Sequence, residues 1–232
     1  MTDYLFPPPA TPSLPIRNSQ QRFPIRRIFC VARNYLAHAQ EMGMAVERDV
    51  PSYFTKSAQA YVASGATIPY PPGTSDFQHE MELVVCIGKA GFQIPEAQAL
   101  SHVFGYACGL DMTRRDLQIK AREKKLPWDL GKDFENAAVL SEIAPASVIG
   151  HPATGKIELK LNGVVKQSSD ISLMIHQIPA VIAHLSGFYH LQPGDLIFTG
   201  TPEGVGPVAV GDRIEGMIAG VGVIVLNIGA PA

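Results

Sequence analysis

The chain has 232 residues, 46% of them hydrophobic, enough to bury a sizeable core in one large domain. Its 19 basic and 21 acidic residues leave a formal charge of -2, which gives no electrostatic case for nucleic acid or an anionic membrane as partner. No apolar run approaches the length of a membrane span, and the first residues lack a basic stretch followed by an apolar core, so a cytoplasmic protein is expected.

Residues 1 to 24 carry Pro7-Pro8-Pro9, Pro12, Pro15 and Pro24, too many imino acids for a regular element, and read as an extended arm on the surface or on a partner subunit. Ile28 to Ala32 reads as a strand. Asn34 can cap a short helix that Gly43 ends, and within it His38 and Glu41 stand three apart on one face. A carboxylate beside an imidazole raises its basicity, as a water-activating base requires; the plainer reading is a surface ion pair. Lys56 reads as an ordinary surface lysine. Cys30, Cys86 and Cys108 lie in apolar text without a Cys-x-x-Cys pair and read as small buried hydrophobes in a reducing compartment.

His79-Glu80-Met81-Glu82 leads into Leu83 to Ile87, apolar at both parities, which is the pattern of a strand buried on two sides. Glu80 and Glu82, two apart, project from one face. A second strand, Val103 to Leu110, ends at Asp111. Thr113 and Asp116 read as a capping box for a helix that runs to Lys125 and stops at Leu126-Pro127. The three carboxylates describe either a hard, oxygen-rich site suited to Mg²⁺ or Mn²⁺ or a solvated acidic strand face. On the helix, Arg115 and Gln118 share a face, while Arg114, Lys120, Arg122, Lys124 and Lys125 read as solvated. Trp128 reads as a packing residue and Lys132 as a loop lysine.

Alternation from Gly155 to Asn162 predicts a half-buried strand, and Asn162-Gly163 a tight hairpin into Val164 to Gln167. Ile171 to Tyr189 reads as helical, with His176, His184 and His190 structural. Pro193-Gly194-Asp195 and Val210-Gly211-Asp212 are turns feeding antiparallel strands of a rolled sheet. Thr199 to Gly206 is glycine-rich without the Gly-Lys-Ser/Thr ending of a phosphate loop, so a nucleotide site is not expected. Periodicity alone supports a β-rich α+β fold.

The segments Asn34-Tyr35, His38 to Gly43, His79 to Glu82, Leu110 to Gln118, Leu126-Pro127-Trp128, Lys132 and Thr199-Gly200-Thr201-Pro202, in this order and spacing, resemble the fumarylacetoacetate hydrolase family and its acylpyruvate-cleaving branch. Two positions depart from the pattern: Ala32 stands where relatives usually have Gly, and Ser57 follows Lys56 where Pro is common. The resemblance implies a mostly β roll of mixed sheets with a few helices, as one catalytic domain over residues 25–232 and a homodimer. It implies Mg²⁺ or Mn²⁺ on Glu80, Glu82 and Asp111. His38 and Glu41 become a catalytic dyad on a segment that closes over substrate, with Gly43 to Asp49 suited to a mobile cover. Lys132 stabilises charge developing on a substrate oxygen, and Arg115, Gln118 and Thr201 bind the carboxylate of a small 2-oxo acid. The implied reaction is hydrolysis of a 3-acylpyruvate, with fumarylpyruvate giving fumarate and pyruvate, as in gentisate breakdown. Within the family the alternatives are oxaloacetate decarboxylation and isomerisation or dehydration of a 2-oxo acid; outside it, a non-catalytic metal-binding or scaffolding protein.

Overall fold

The computed structural model describes residues 3–43 and 50–232; most of the expected cover segment, residues 44–49, and the first two residues of the arm lie outside them. In chain order the strands and helices begin β1 (Ser13–Pro15), β2 (Arg22–Pro24), β3 (Arg27–Ala32), α1 (Leu36–Glu41), β4 (Ser52–Lys56), β5 (Tyr61–Ala63), β6 (Thr67–Pro69), β7 (Phe77–His79) and β8 (Met81–Ile87). They continue β9 (Val103–Asp111), β10 (Thr113–Arg114), α2 (Arg115–Glu123), α3 (Asp129–Lys132), β11 (Ala138–Leu140), β12 (Ala144–Pro145) and α4 (Ala146–Ile149). The last third adds β13 (Lys156–Leu161), β14 (Val164–Asp170), α5 (Ile178–Ser186), β15 (Asp195–Phe198), β16 (Gly206–Pro207), β17 (Arg213–Ile218) and β18 (Gly222–Gly229).

The fold is mostly β, with a few short helices. Its centre is a mixed sheet ordered β4-β3-β15-β8-β9-β11-β5, with β12 beside β9. A second sheet, β14-β13-β17-β18-β6, packs β13 against β8 and both β17 and β18 against β9. That covering explains why every residue of β8 is buried: the run with no polar parity has protein on both faces. Gly216 lets the layers close, since a Cβ there would sit 2.6 Å from the Met81 sulfur. The hairpin at Asn162-Gly163 forms with both residues at positive φ, as its tight turn requires.

Several expectations are corrected. The arm is not wholly irregular: β1 and β2 pair antiparallel, Leu14 is fully buried, and Pro15 and Ile16 bridge to Ile143, because the prolines fall at strand ends where their missing donors cost nothing. The segment expected as one helix over 171–189 is a 3₁₀ turn at Ile171–Leu173 and then α5 from Ile178, because Pro179 fits a first helical turn and cannot continue one. β15 is antiparallel to β8 but parallel to β3, so it does not belong to a purely antiparallel roll. No capping box starts α2. The Thr113 hydroxyl donates to the Asp111 carbonyl at 3.0 Å, and Asp116 instead accepts from Thr74 Oγ1 at 2.5 Å and the Ser75 amide at 3.0 Å. All three cysteines are buried, and burial pushes their thiols up, Cys108 to about 12. Among the described residues no helix is long and apolar enough to cross a membrane.

Candidate active site

The three carboxylates meet because of strand register. Met81 pairs with Leu110 across the antiparallel β8–β9 ladder, and the Asp111 amide donates to the Glu80 carbonyl at 2.9 Å, so Glu80 lies opposite Asp111. Glu82, two residues further, faces the same way and pairs with Gly109. One ligand oxygen from each of Glu80, Glu82 and Asp111 lies within 4.8 Å of the others, and all three residues are buried. The reading as a solvated acidic strand face is therefore overturned.

Buried like charges this close need cations. Lys132 Nζ donates to Glu80 Oε2 at 2.8 Å, to Asp111 Oδ2 at 2.7 Å and to Thr113 Oγ1 at 2.7 Å. It is not a loop lysine but the last residue of α3, 2% exposed. Lys56, expected on the surface, is also buried: β4 runs beside β3 and delivers its Nζ to 2.9 Å from Asp111 Oδ1 and onto the Met112 and Lys132 carbonyls. Arg115 spends its fork on Glu80 Oε1, Gln118 Oε1 and, at 2.9 Å, Gln78 Oε1. Burial opposes ionisation of Glu80, but Lys132 and Arg115 outweigh it and hold its carboxyl below the usual range. Burial also opposes the charged form of Lys132, yet Asp111 and Glu80 raise it. Glu82 has no such partner. Burial, with Asp111 and Glu80 beside it, pushes its carboxyl well above the usual range, against the opposing pull of Lys132 and of the Gly200 amide, which donates to Oε2 at 2.6 Å.

A hard divalent cation suits this arrangement. The donors are all carboxylate oxygens, Asp111 Oδ1 receives no hydrogen bond of good geometry despite the nearby lysine, and Glu82 is the carboxylate left uncompensated. The donor set fits Mg²⁺ or Mn²⁺, which Glu80, Glu82 and Asp111 could hold.

His38 and Glu41 lie one turn apart on α1, with Nδ1 3.2 Å from Glu41 Oε2. Glu41 also accepts from the Gly204 amide at 3.1 Å. Asn34 does not cap this helix, whose N-cap is Tyr35. Its side chain donates to the Thr199 and His176 carbonyls and accepts from the His176 amide at 2.7 Å, locking the approach to α1 against the turn that follows β15. Gly43 does end the helix, at φ +63. In that turn Gly200, at φ +92, leaves room for Asn34, whose Cβ would lie 2.8 Å from any side chain added there. Thr201 Oγ1 accepts from Gln167 Nε2 at 2.8 Å.

His38, the three carboxylates, Arg115, Gln118, Lys132, Gly200 and Thr201 all line one narrow cavity. Sequence reasoning missed the Gly200 amide and the side chains that brace the site from behind, Lys56, Gln78 and Gln167. For Lys56 a signal existed in its place at the end of a strand, but its charge masked it; for a backbone amide there was none. Arg114, expected in solvent, is buried with its guanidinium 4.1 Å above the Phe134 ring, and Arg122 lines the cavity. Trp128 packs on Phe54, ring centroids 5.8 Å apart.

The family model described as fumarylacetoacetate (FAA) hydrolase, C-terminal, matches residues 27–228. Among curated relatives, a fumarylpyruvate hydrolase of Ralstonia sp is 53% identical over 190 residues, 81% of this chain and 98% of that protein. A mitochondrial oxaloacetate tautomerase, FAHD1 of Homo sapiens, is 43% identical over 195 residues, 84% of this chain and 88% of that protein. Among solved structures, the fumarylpyruvate hydrolase from Pseudomonas aeruginosa in complex with Mn²⁺ and pyruvate superposes with a TM-score of 0.95 at 48% identity, covering 98% of this chain and 100% of that one.

Proposed function

Because the chain belongs to the fumarylacetoacetate hydrolase family, we propose that its buried carboxylate site cleaves the carbon–carbon bond of a 3-acylpyruvate, with fumarylpyruvate as substrate and fumarate and pyruvate as products. It is a hydrolase acting on carbon–carbon bonds in ketonic substances. The observation that carries the reading is the meeting, on one cavity, of a hard-metal carboxylate triad and a histidine held by a glutamate. When bound, the divalent ion supplies Lewis-acid polarisation of the 2-oxo acid end.

The protein's own groups do the rest. Arg115, through the donors not spent on Glu80, Gln78 and Gln118, fixes the substrate carboxylate together with Gln118 and Thr201. His38, its Nδ1 turned to Glu41, accepts a proton from water at Nε2. The water oxygen bonds to the distal carbonyl carbon, and the electrons of the broken bond leave as pyruvate enolate, which takes up that proton at C3. Lys132, whose three donors go to Glu80, Asp111 and Thr113, sets its positive charge beside the oxygen on which negative charge develops. Lys56, Lys132 and Arg115 contact Glu80 and Asp111 and leave Glu82 without a paired cation, the place a divalent ion would fill.

The 42–43% identity to oxaloacetate tautomerases favours a second reading, enol–keto conversion of oxaloacetate at the same groups. The same reading takes residues 25–232 as the catalytic domain of a cytoplasmic homodimer; three buried free cysteines suit a reducing compartment, and light scattering tests the oligomer.

The experiment removes metal with a chelator, restores Mn²⁺ or Mg²⁺, and follows loss of the fumarylpyruvate enol absorbance and release of pyruvate. Turnover is expected to vanish on chelation and return on reloading, and His38→Ala is expected to lower kcat by about 10²–10⁴-fold. Activity that survives either change contradicts the hydrolytic mechanism, and enol loss without pyruvate release identifies a tautomerase.

A further inference from the structure

We propose that Arg33 and Arg122 form a second anion site at the far end of the cavity, which selects acyl groups that end in a carboxylate. The inference rests on the reading of the cavity as an acylpyruvate site and names the part of it that sorts substrates.

Arg115, Gln118 and Arg122 stand at i, i+3 and i+7 along α2, and all three line the cavity. Arg122 is therefore two turns, roughly 10 Å along the axis, beyond the residue that holds Glu80. Arg33 approaches from a different segment, just after β3, and lines the same cavity. Its φ of +57 lies in the left-handed region, which is costly for a residue with a side chain. The bonds made by the next side chain, Asn34, to Thr199 and His176 hold the backbone there.

Arg33 also lines a contiguous outer groove of about 390 Å³, walled by Tyr53, Phe54, Leu126, Pro127 and Trp128. Phe54, Trp128, Ala32, Arg33 and Lys132 border both spaces, so the inner cavity opens into the groove over an apolar surface suited to an unsaturated carbon chain. Among the described residues neither Arg33 nor Arg122 forms an ion pair, in contrast to the three committed cations around the carboxylates. Among the described residues Asp129 is the single carboxylate on the groove wall, and it is exposed. A seven-carbon diacid anchored by its 2-oxo acid end spans somewhat less than the two turns of α2, and the flexible arginine stems close the difference. An acylpyruvate with a methyl terminus offers these two guanidinium groups nothing.

The test compares kcat/KM for fumarylpyruvate and for acetylpyruvate, its neutral-ended counterpart, in metal-loaded wild type, Arg33→Gln, Arg122→Gln and the control Lys120→Gln, which removes an exposed cation from the same helix. The ratio of the two values is expected to fall about 10- to 100-fold in each arginine variant, mainly through KM, and to stay within about twofold in the control. In parallel, calorimetry measures fumarate and crotonate binding with pyruvate saturating the 2-oxo acid end. Wild type is expected to bind fumarate at least about tenfold more tightly, and both arginine variants to lose the difference. A ratio that does not move, an equal drop in the control, or fumarate bound no better than crotonate overturns the proposal. Wild type that hydrolyses neither acylpyruvate sinks the hydrolase reading instead, and the binding series still decides the anion site.

Discussion

Lys56 carries more of the site than its sequence context suggests. Its ammonium is buried against Asp111 and two backbone carbonyls, so Lys56→Met leaves Asp111 with Lys132 as its one cation, at a cost of about 1–3 kcal/mol in the metal-free protein. Denaturant unfolding with and without Mn²⁺ checks this, and the stabilisation gained on adding metal is expected to exceed that of wild type. At this scale the sequence disclosed the charged groups whose spacing is local. Glu80 and Glu82 share a face by strand parity, and His38 and Glu41 by helical periodicity. It did not disclose Lys56, Gln78 or the Gly200 amide, since each reaches the carboxylates only through a pairing between distant strands. Arg114 and Arg122 were misjudged for a related reason: charge suggests solvent, whereas a guanidinium can lie over Phe134 or line a cavity.

The helices act as levers. Gly131 lets α3 touch α2, because a Cβ there would sit 2.9 Å from the Gln118 amide nitrogen and Cβ, and the contact sets how far Lys132 reaches inward. Gly131→Ala is expected to destabilise the protein by about 1–3 kcal/mol and to lower kcat, as Lys132 is drawn back from Glu80 and Asp111. Thermal melting and turnover measured together check it. Asp116 joins the loop at Thr74-Ser75 to the first turn of α2. Burial opposes its charged form, but bonds from Thr74, Ser75 and Leu117 together outweigh it and hold its carboxyl below the usual range. A carboxyl lowered on folding adds stability that is present above its unfolded value, about 3.9, and lost as pH falls through the folded one. Asp116→Asn is therefore expected to cost about 1 kcal/mol at neutral pH and to flatten the loss of stability below pH ~4, read from urea midpoints across pH. The unbroken apolar runs of β8 and β9 and the alternation of β13 are legible in the sequence. The β1–β2 hairpin and the true start of α5 were not, because proline there marks a strand end and a first helical turn instead of a break.

For the whole molecule, the ion of the proposed site would be a structural ligand as well as a chemical one. It binds only where β8 and β9 are paired, so it stabilises the folded state by about 2.7 kcal/mol at a free concentration of 100 Kd. Wild type is expected to melt several degrees higher with Mn²⁺ than with a chelator, and Glu82→Ala to show no such shift while remaining folded. A melting point unaffected by Mn²⁺ in wild type removes the basis for the metal site. The parallel seat of β3 beside β15 has a further consequence. The two strands lie 168 residues apart in sequence, bonded through Arg27 and Asp195, and the turn that holds Glu82 follows β15 directly. A nascent chain therefore emerges from the ribosome with most of its carboxylates, its histidine and its lysines already made but with nowhere to gather. The catalytic chamber is a late product of synthesis, and no N-terminal fragment ending before Gly200 assembles it.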